Sequence, residues 1–192
     1  HFIFVAAIPL SLYFILAAKP SILFLFGDQY TRSIMPMKLI MPTVFAIGLS
    51  NILGIQMLIP MGRENVVVVS EIVGAVVDVI INALLIPKYG ASGAAIGTVT
   101  AEFAVLAVQA IALKTTVLPL VRQIPVWKHV LAAAVSSIPC IAIVGIGWGN
   151  FVTLMVSAIL FFGIYLIILI LMKEPFIREY APMVTKFLPH KK

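Results

Sequence analysis

The sequence has very little charge and almost no cysteine. Only 10% of its 192 residues are charged, whereas 62% are hydrophobic. Soluble domains carry about 25% charged residues, so this composition excludes a water-soluble fold of this length. The single cysteine, Cys140, excludes an internal disulfide. Long apolar runs fill the chain instead, and they predict an integral membrane protein.

The sequence also lacks the motifs of common enzymes. It has no glycine-rich phosphate loop, no nucleophile motif and no Cys/His cluster with metal-ligand spacing. We therefore expect no enzyme activity, catalytic residue, cofactor or metal site. A net charge of +6 can indicate nucleic-acid binding, but the basic residues fall in short segments between the apolar runs. Membrane topology produces that distribution, so we expect membrane lipids and no nucleic acid as partners.

Six apolar runs predict the fold class. A bilayer core requires about 20 mostly apolar residues per helix. The runs cover residues 2–26, 39–60, 66–87, 91–113, 130–148 and 151–172. We expect an all-α, polytopic membrane bundle of about six transmembrane helices, with the first helix bent near Lys19 and Pro20.

The basic residues predict the domain organisation and the orientation. Residues 1–172 form the expected six-helix lobe, and 173–192 a basic amphipathic cytoplasmic tail. Of the 13 Lys and Arg residues, nine fall on the side of the C-terminus and four on the other. This bias predicts a cytoplasmic C-terminus. Residues 114–128 are expected to lie on the membrane surface. An apolar run follows His1 directly, so we expect the chain to be a piece of a longer protein.

Polar residues form one stripe on each of two neighbouring predicted helices. On an α-helix, side chains that are seven or eleven residues apart point in directions that differ by only about 20°. The third run carries Glu71, Asp78 and Asn82, and the fourth run carries Thr98, Glu102 and Gln109. Neither run contains a Lys or Arg. The carboxylates must therefore be protonated, hydrated, bound to a cation or paired with a group outside the chain.

These six residues are our candidates for substrate or ion binding, and a structural role is the alternative. Polar side chains also join membrane helices by hydrogen bonds, which we favour for Asn82, Thr98 and Gln109. Ionisable groups are a costly way to make such bonds, so function is favoured for Asp78 and Glu102. Both roles stay open for Glu71. The small residues Gly93 and Gly97 predict close helix packing.

The residues resemble a known family. The segments are FGDQY at 26–30, LIP at 58–60, GREN at 62–65 and NALLIPKYGASGAAIGT at 82–98, the last followed by Glu102. Together they resemble the C-terminal half of polysaccharide-biosynthesis flippases, over about residues 22–113. These flippases belong to the multidrug/oligosaccharidyl-lipid/polysaccharide exporter superfamily.

The resemblance implies a bundle of 12 to 14 helices in two lobes around a central cavity. This chain would be one lobe, and its partners would be the missing N-terminal lobe and a lipid-linked glycan. The implied function is translocation of lipid-linked oligosaccharide repeat units across the plasma membrane, with ion-driven alternating access as the usual proposal. The alternatives are a multidrug or toxin extruder of the same superfamily, the membrane domain of a polysaccharide polymerase or ligase, and an anchoring domain without transport.

Overall fold

The computed structural model describes residues 1–175, which are helical with no strand in that range. The first part of the chain forms short helices. These are α1 (Phe2–Leu16), α2 (Ala18–Phe26), a 3-10 helix (Asp28–Ser33), α3 (Ile34–Ile40), α4 (Thr43–Asn51) and a π-helix (Ile52–Leu58). The remaining elements are α5 (Glu64–Tyr89), α6 (Ala91–Ala112), α7 (Lys114–Gln123), α8 (Val126–Ile146) and α9 (Asn150–Leu171).

Within residues 1–175, four helices are long and apolar enough to cross a membrane by themselves, namely α5, α6, α8 and α9. Two further spans are possible if each of two bent helix pairs counts as one. One pair is α1 and α2, bent by 71°, and the other runs from Asp28 to Leu58, bent by 43°. The all-α membrane bundle predicted from the sequence is confirmed, and the protein is a multi-pass membrane protein.

The first bend lies at Ala17, two or three residues before the predicted position at Lys19 and Pro20. Ala17 leaves the helical conformation with φ −88° and ψ 10°. A proline has no N–H to donate, and its ring clashes with the carbonyl four residues earlier. For Pro20 that carbonyl belongs to Leu16, the last residue of α1. The break therefore precedes the proline by about one turn.

The second predicted span, 39–60, is wrong as a single α-helix. Helix α3 already begins at Ile34, and the chain bends again before α4 begins at Thr43, directly after Pro42. The span then ends in the π-helix, where the N–H of Ile59 donates to the carbonyl of Gly54, five residues earlier, at 3.1 Å. A π-turn depends on what packs against it, so apolar periodicity alone does not reveal it.

Helices α5 and α6 form a tight hairpin with one residue between them. Gly90 has φ +55°, a conformation that favours glycine and ends α5. The predicted run ends at Pro87, but α5 continues for two further residues to Tyr89.

The hydrophobic core of the other half joins α1, α8 and α9. Tyr13 of α1 donates to the carbonyl of Leu154 at 3.0 Å, and Tyr165 of α9 donates to the carbonyl of Val5 at 3.0 Å. The early part of α1 thus meets the late part of α9, and the two helices are antiparallel. As a result, His1 and the residues after α9 lie at the same end of the bundle.

Candidate functional site: a carboxylate groove between two spans

The candidate site depends on how closely α5 and α6 approach each other. An added Cβ on Gly74 of α5 would overlap Val105 of α6. One on Gly93 would lie 2.5 Å from the carbonyl oxygen of Leu85, and one on Gly97 would overlap Asn82. The small residues that predicted close packing therefore contact α5 of the same chain. This contact brings the two polar stripes face to face.

A groove of about 250 Å³ runs between the two helices. Its lining is Glu71, Gly74, Ala75 and Asp78 from α5, with Thr98, Ala101, Glu102 and Val105 from α6. Four of the six candidate residues therefore line one groove. Glu71 is exposed, whereas Asp78, Thr98 and Glu102 are half-buried.

Asn82 lies one turn beyond the groove lining and is bonded to Asp78. Its Nδ2 donates to Asp78 Oδ2 at 2.9 Å. The other oxygens of the pair, Asp78 Oδ1 and Asn82 Oδ1, are buried and have no hydrogen-bond partner within the described part of the chain. Both lie beside Gly97, because an added Cβ there would be 3.3 Å from Asp78 Oδ1 and would overlap Asn82 Oδ1. Buried acceptors of this kind require a donor or a cation.

The groove is acidic. Glu71, Asp78 and Glu102 all line it, and no Lys, Arg or His is among the lining residues in the described part of the chain. Within residues 1–175, no three His, Cys, Asp or Glu side chains form a group that could hold a metal ion. The chemistry of the lining suits a proton or a cation rather than an anion. Carboxylate and amide oxygens would bind it, with Thr98 beside them.

Gln109 lies outside the groove and joins three helical segments. Its side chain is 1% exposed, and its Nε2 donates to Ser70 Oγ of α5 at 3.0 Å. An added Cβ on Gly54 of the π-helix would lie 3.1 Å from the same Nε2. This geometry agrees with the structural role that the sequence favoured for Gln109.

A second polar cluster was missed by the sequence analysis. His129 is not among the six candidate residues, and it is fully buried. Its Nδ1 lies 3.4 Å from the hydroxyl of Tyr165, and its Nε2 lies 3.7 Å from Glu174 Oε1. His1 Nδ1 also lies 3.4 Å from Glu174 Oε1.

The signal for this burial is present in the sequence. His129 is followed by small residues on the same helical face, which are Ala132, Ala133, Ser136 and Cys140. Their spacing of 3, 4, 7 and 11 residues is the period of a buried helix face. The histidine belongs to that face rather than to the membrane surface.

Compared with known proteins, the chain matches no family model, no curated protein and no solved structure.

Proposed function

We propose that the chain is one lobe of an exporter for lipid-linked oligosaccharide in the plasma membrane, with its C-terminus in the cytoplasm. The site of ion coupling is the groove of Glu71, Asp78 and Glu102. The observation that carries the proposal is the convergence of these carboxylates from two spans without a basic residue in the groove lining. Intramembrane carboxylates are typical of ion and proton pathways.

The segment that resembles the flippases supports the choice of substrate. Residues 82–98 include the end of α5, the one-residue turn and the first part of α6. Asn82, Gly93, Gly97 and Thr98, four residues of that segment, make the contacts and part of the groove described above. The resemblance and the candidate site therefore rest on the same structural unit.

The charge of the groove assigns it to the coupling ion rather than to the glycan. A sugar-diphosphate headgroup is anionic and would be repelled by three carboxylates. A proton or sodium ion would instead neutralise Asp78 and Glu102. An ion can shift a transporter between two conformations only if it binds one of them more tightly than the other. The unpartnered oxygens of Asp78 and Asn82 would provide this difference in ion affinity if they close around the ion in one conformation and not in the other.

The acidic groove also favours a second candidate function, export of cationic drugs or toxins. An organic cation would bind the same carboxylates directly and would compete with the coupling ion. For a glycan exporter, in contrast, an organic cation would not be transported and would not compete with the coupling ion.

The experiment measures glycan export by the complete protein that contains this lobe, across pH and sodium concentration. The variants are Asp78→Asn and Glu102→Gln, which preserve shape and remove the titratable charge. Glu64→Gln is the matched control, because Glu64 is an exposed carboxylate of α5 outside the groove. All export values are normalised to the amount of protein in the membrane.

We expect at least one groove variant to accumulate normally but to lose export or its dependence on pH or sodium. The control should keep both. Normal export with unchanged ion dependence in both groove variants would reduce the carboxylates to structural contacts. Competition of an organic cation with the ion, together with export of that cation, would favour the drug extruder.

A further inference from the structure

A second cavity lies at the end of the bundle where α1 begins. Its volume is about 280 Å³, and α1, the π-helix, α6, α7 and the residue after α7 contribute to its walls. Except for His1, the lining side chains are apolar; they include Phe4, Met57 and Ala110. An apolar cavity of about 150 Å³ in a protein core stays dry and binds benzene. This cavity is almost twice that size, and its apolar lining matches the chemistry of a hydrocarbon chain.

Helix α7 forms one wall of this cavity. Val117, Leu120, Val121 and Ile124 line the cavity from this side, and their spacing of 3, 4 and 7 residues places them on one helical face. None of the residues of α7 is buried by the rest of the described chain. Val117 packs on the apolar core of the bundle, beside Leu53, Leu58 and Leu113. Leu120 and Val121, one turn further along α7, stay exposed and border the cavity.

The side of the cavity formed by α7 is cationic. Lys114 and Arg122 are exposed residues of α7. Arg63 joins them at this end, because its Nη1 donates to the carbonyl of Ala112 at 3.2 Å, next to the start of α7. The sequence contains no acidic residue between Glu102 and Glu174. Hydrocarbon-lined space beside cations matches a lipid that has an apolar chain and a negative headgroup.

We propose that this cavity binds an anionic phospholipid, with one acyl chain inside and the phosphate at Lys114 and Arg122. The lipid fills the space between α7 and the bundle and holds α7 against the membrane surface. This site is separate from the carboxylate groove and does not depend on the proposed transport function.

The test measures which lipid the purified protein retains. The protein is exchanged into detergent containing equal amounts of phosphatidylglycerol and phosphatidylcholine with identical acyl chains. Native mass spectrometry then counts the lipid bound after washing. We expect one phosphatidylglycerol molecule to be retained in preference to phosphatidylcholine.

Two sets of variants test separately the site of the lipid headgroup and the site of its acyl chain. Lys114→Gln and Arg122→Gln should each lower the preference for phosphatidylglycerol about fivefold, which is the effect of about 1 kcal/mol per basic residue near a membrane surface. Lys88→Gln removes an exposed charge at the other end of α5 and should change nothing. Ala110→Phe fills the cavity and should abolish retention of both lipids. Ala107→Phe, the same change at an exposed position of α6, should not.

The proposal is overturned if wild-type protein retains both lipids equally, or neither. It is also overturned if retention is unchanged by Ala110→Phe in protein that remains folded. The charge variants decide the headgroup part even if Ala110→Phe does not fold, because Lys114 and Arg122 are exposed. An unchanged preference in both charge variants would contradict the assigned phosphate position.

Discussion

Gly97 of α6 lies directly against the side-chain amide of Asn82 on α5, so closely that a Cβ at Gly97 would overlap Asn82 Oδ1. The same amide donates to Asp78 Oδ2. The glycine therefore does more than allow two helices to approach. It sets the space in which the Asp78–Asn82 pair lies, and it links the packing of the hairpin to the geometry of the groove.

This contact predicts the effect of a single added methyl group. Gly97→Ala should lower the free energy of unfolding by about 1–3 kcal/mol, the usual cost of overpacking a tight interior. The measurement is the unfolding transition of the purified protein in detergent. Gly163→Ala is the matched control, because its added Cβ on α9 would contact nothing within 4 Å. An equal loss in both variants would contradict the packing argument.

A double substitution tests whether Asn82 is the cause. Asn82→Ala removes the amide that the added methyl group would overlap. Gly97→Ala should therefore cost less stability in the Asn82→Ala background than in the wild type, since contacting residues are energetically coupled. Additive effects of the two changes would indicate that the strain lies elsewhere along the hairpin.

The hydrogen bond between Gln109 and Ser70 predicts a modest effect. Such bonds between membrane helices are worth about 0.6 kcal/mol on average and about 1.7 kcal/mol at most. Gln109→Leu keeps the volume and should change the unfolding free energy by no more than this range. Export should remain near normal, because Gln109 does not line the groove. A complete loss of export in a stable Gln109→Leu protein would assign a functional role to this amide.

The buried histidine predicts a local change at the end of α9. His129→Phe keeps a ring but removes the nitrogen atoms that face Tyr165 and Glu174. Loss of such polar contacts in a buried site costs about 1–3 kcal/mol. We expect faster amide hydrogen exchange at 172–174, measured by mass spectrometry. Trp127→Phe, a change at an exposed neighbour, is the control. Equal hydrogen exchange rates at 172–174 in the two variants would show that His129 does not stabilise the end of α9.

The proposed orientation predicts where two reporters will be found. A reporter fused after Lys192 should read cytoplasmic, and one inserted at Gly149, between α8 and α9, should read external. Each reporter is a phosphatase and fluorescent-protein pair that is active on opposite sides of the membrane. The same location for both sites would remove α9 from the set of membrane spans.

The sequence predicted the parts of the fold that depend on length and apolar composition. The four long helices agree with the predicted runs to within a few residues. The sequence predicted one polar stripe on each of α5 and α6, and the structure shows that Asp78 and Glu102 of these stripes line one groove. The break at Ala17 was misplaced because Pro20 acts on a carbonyl four residues earlier. The π-helix was missed because its apolar residues look the same in sequence as those of an α-helix.

Other predictions remain open. The basic amphipathic tail was predicted for 173–192, and all but its first three residues lie outside the described residues. The division into a lobe and a tail, the flippase resemblance and the roles of the six candidate residues also stay predictions. The small residues on the same helical face indicate the burial of His129, although its neighbour Lys128 is basic.

The single-residue turn at Gly90 has a consequence for how the protein is made. Because α5 and α6 are connected so tightly, neither helix can cross the bilayer far ahead of the other. We therefore expect the two helices to enter as a pair, connected by the short turn at Gly90. Asp78 and Asn82 would then meet Gly97 and Glu102 while the chain leaves the insertion machinery. The groove would be assembled during membrane insertion rather than afterwards, by later rearrangement of separate helices.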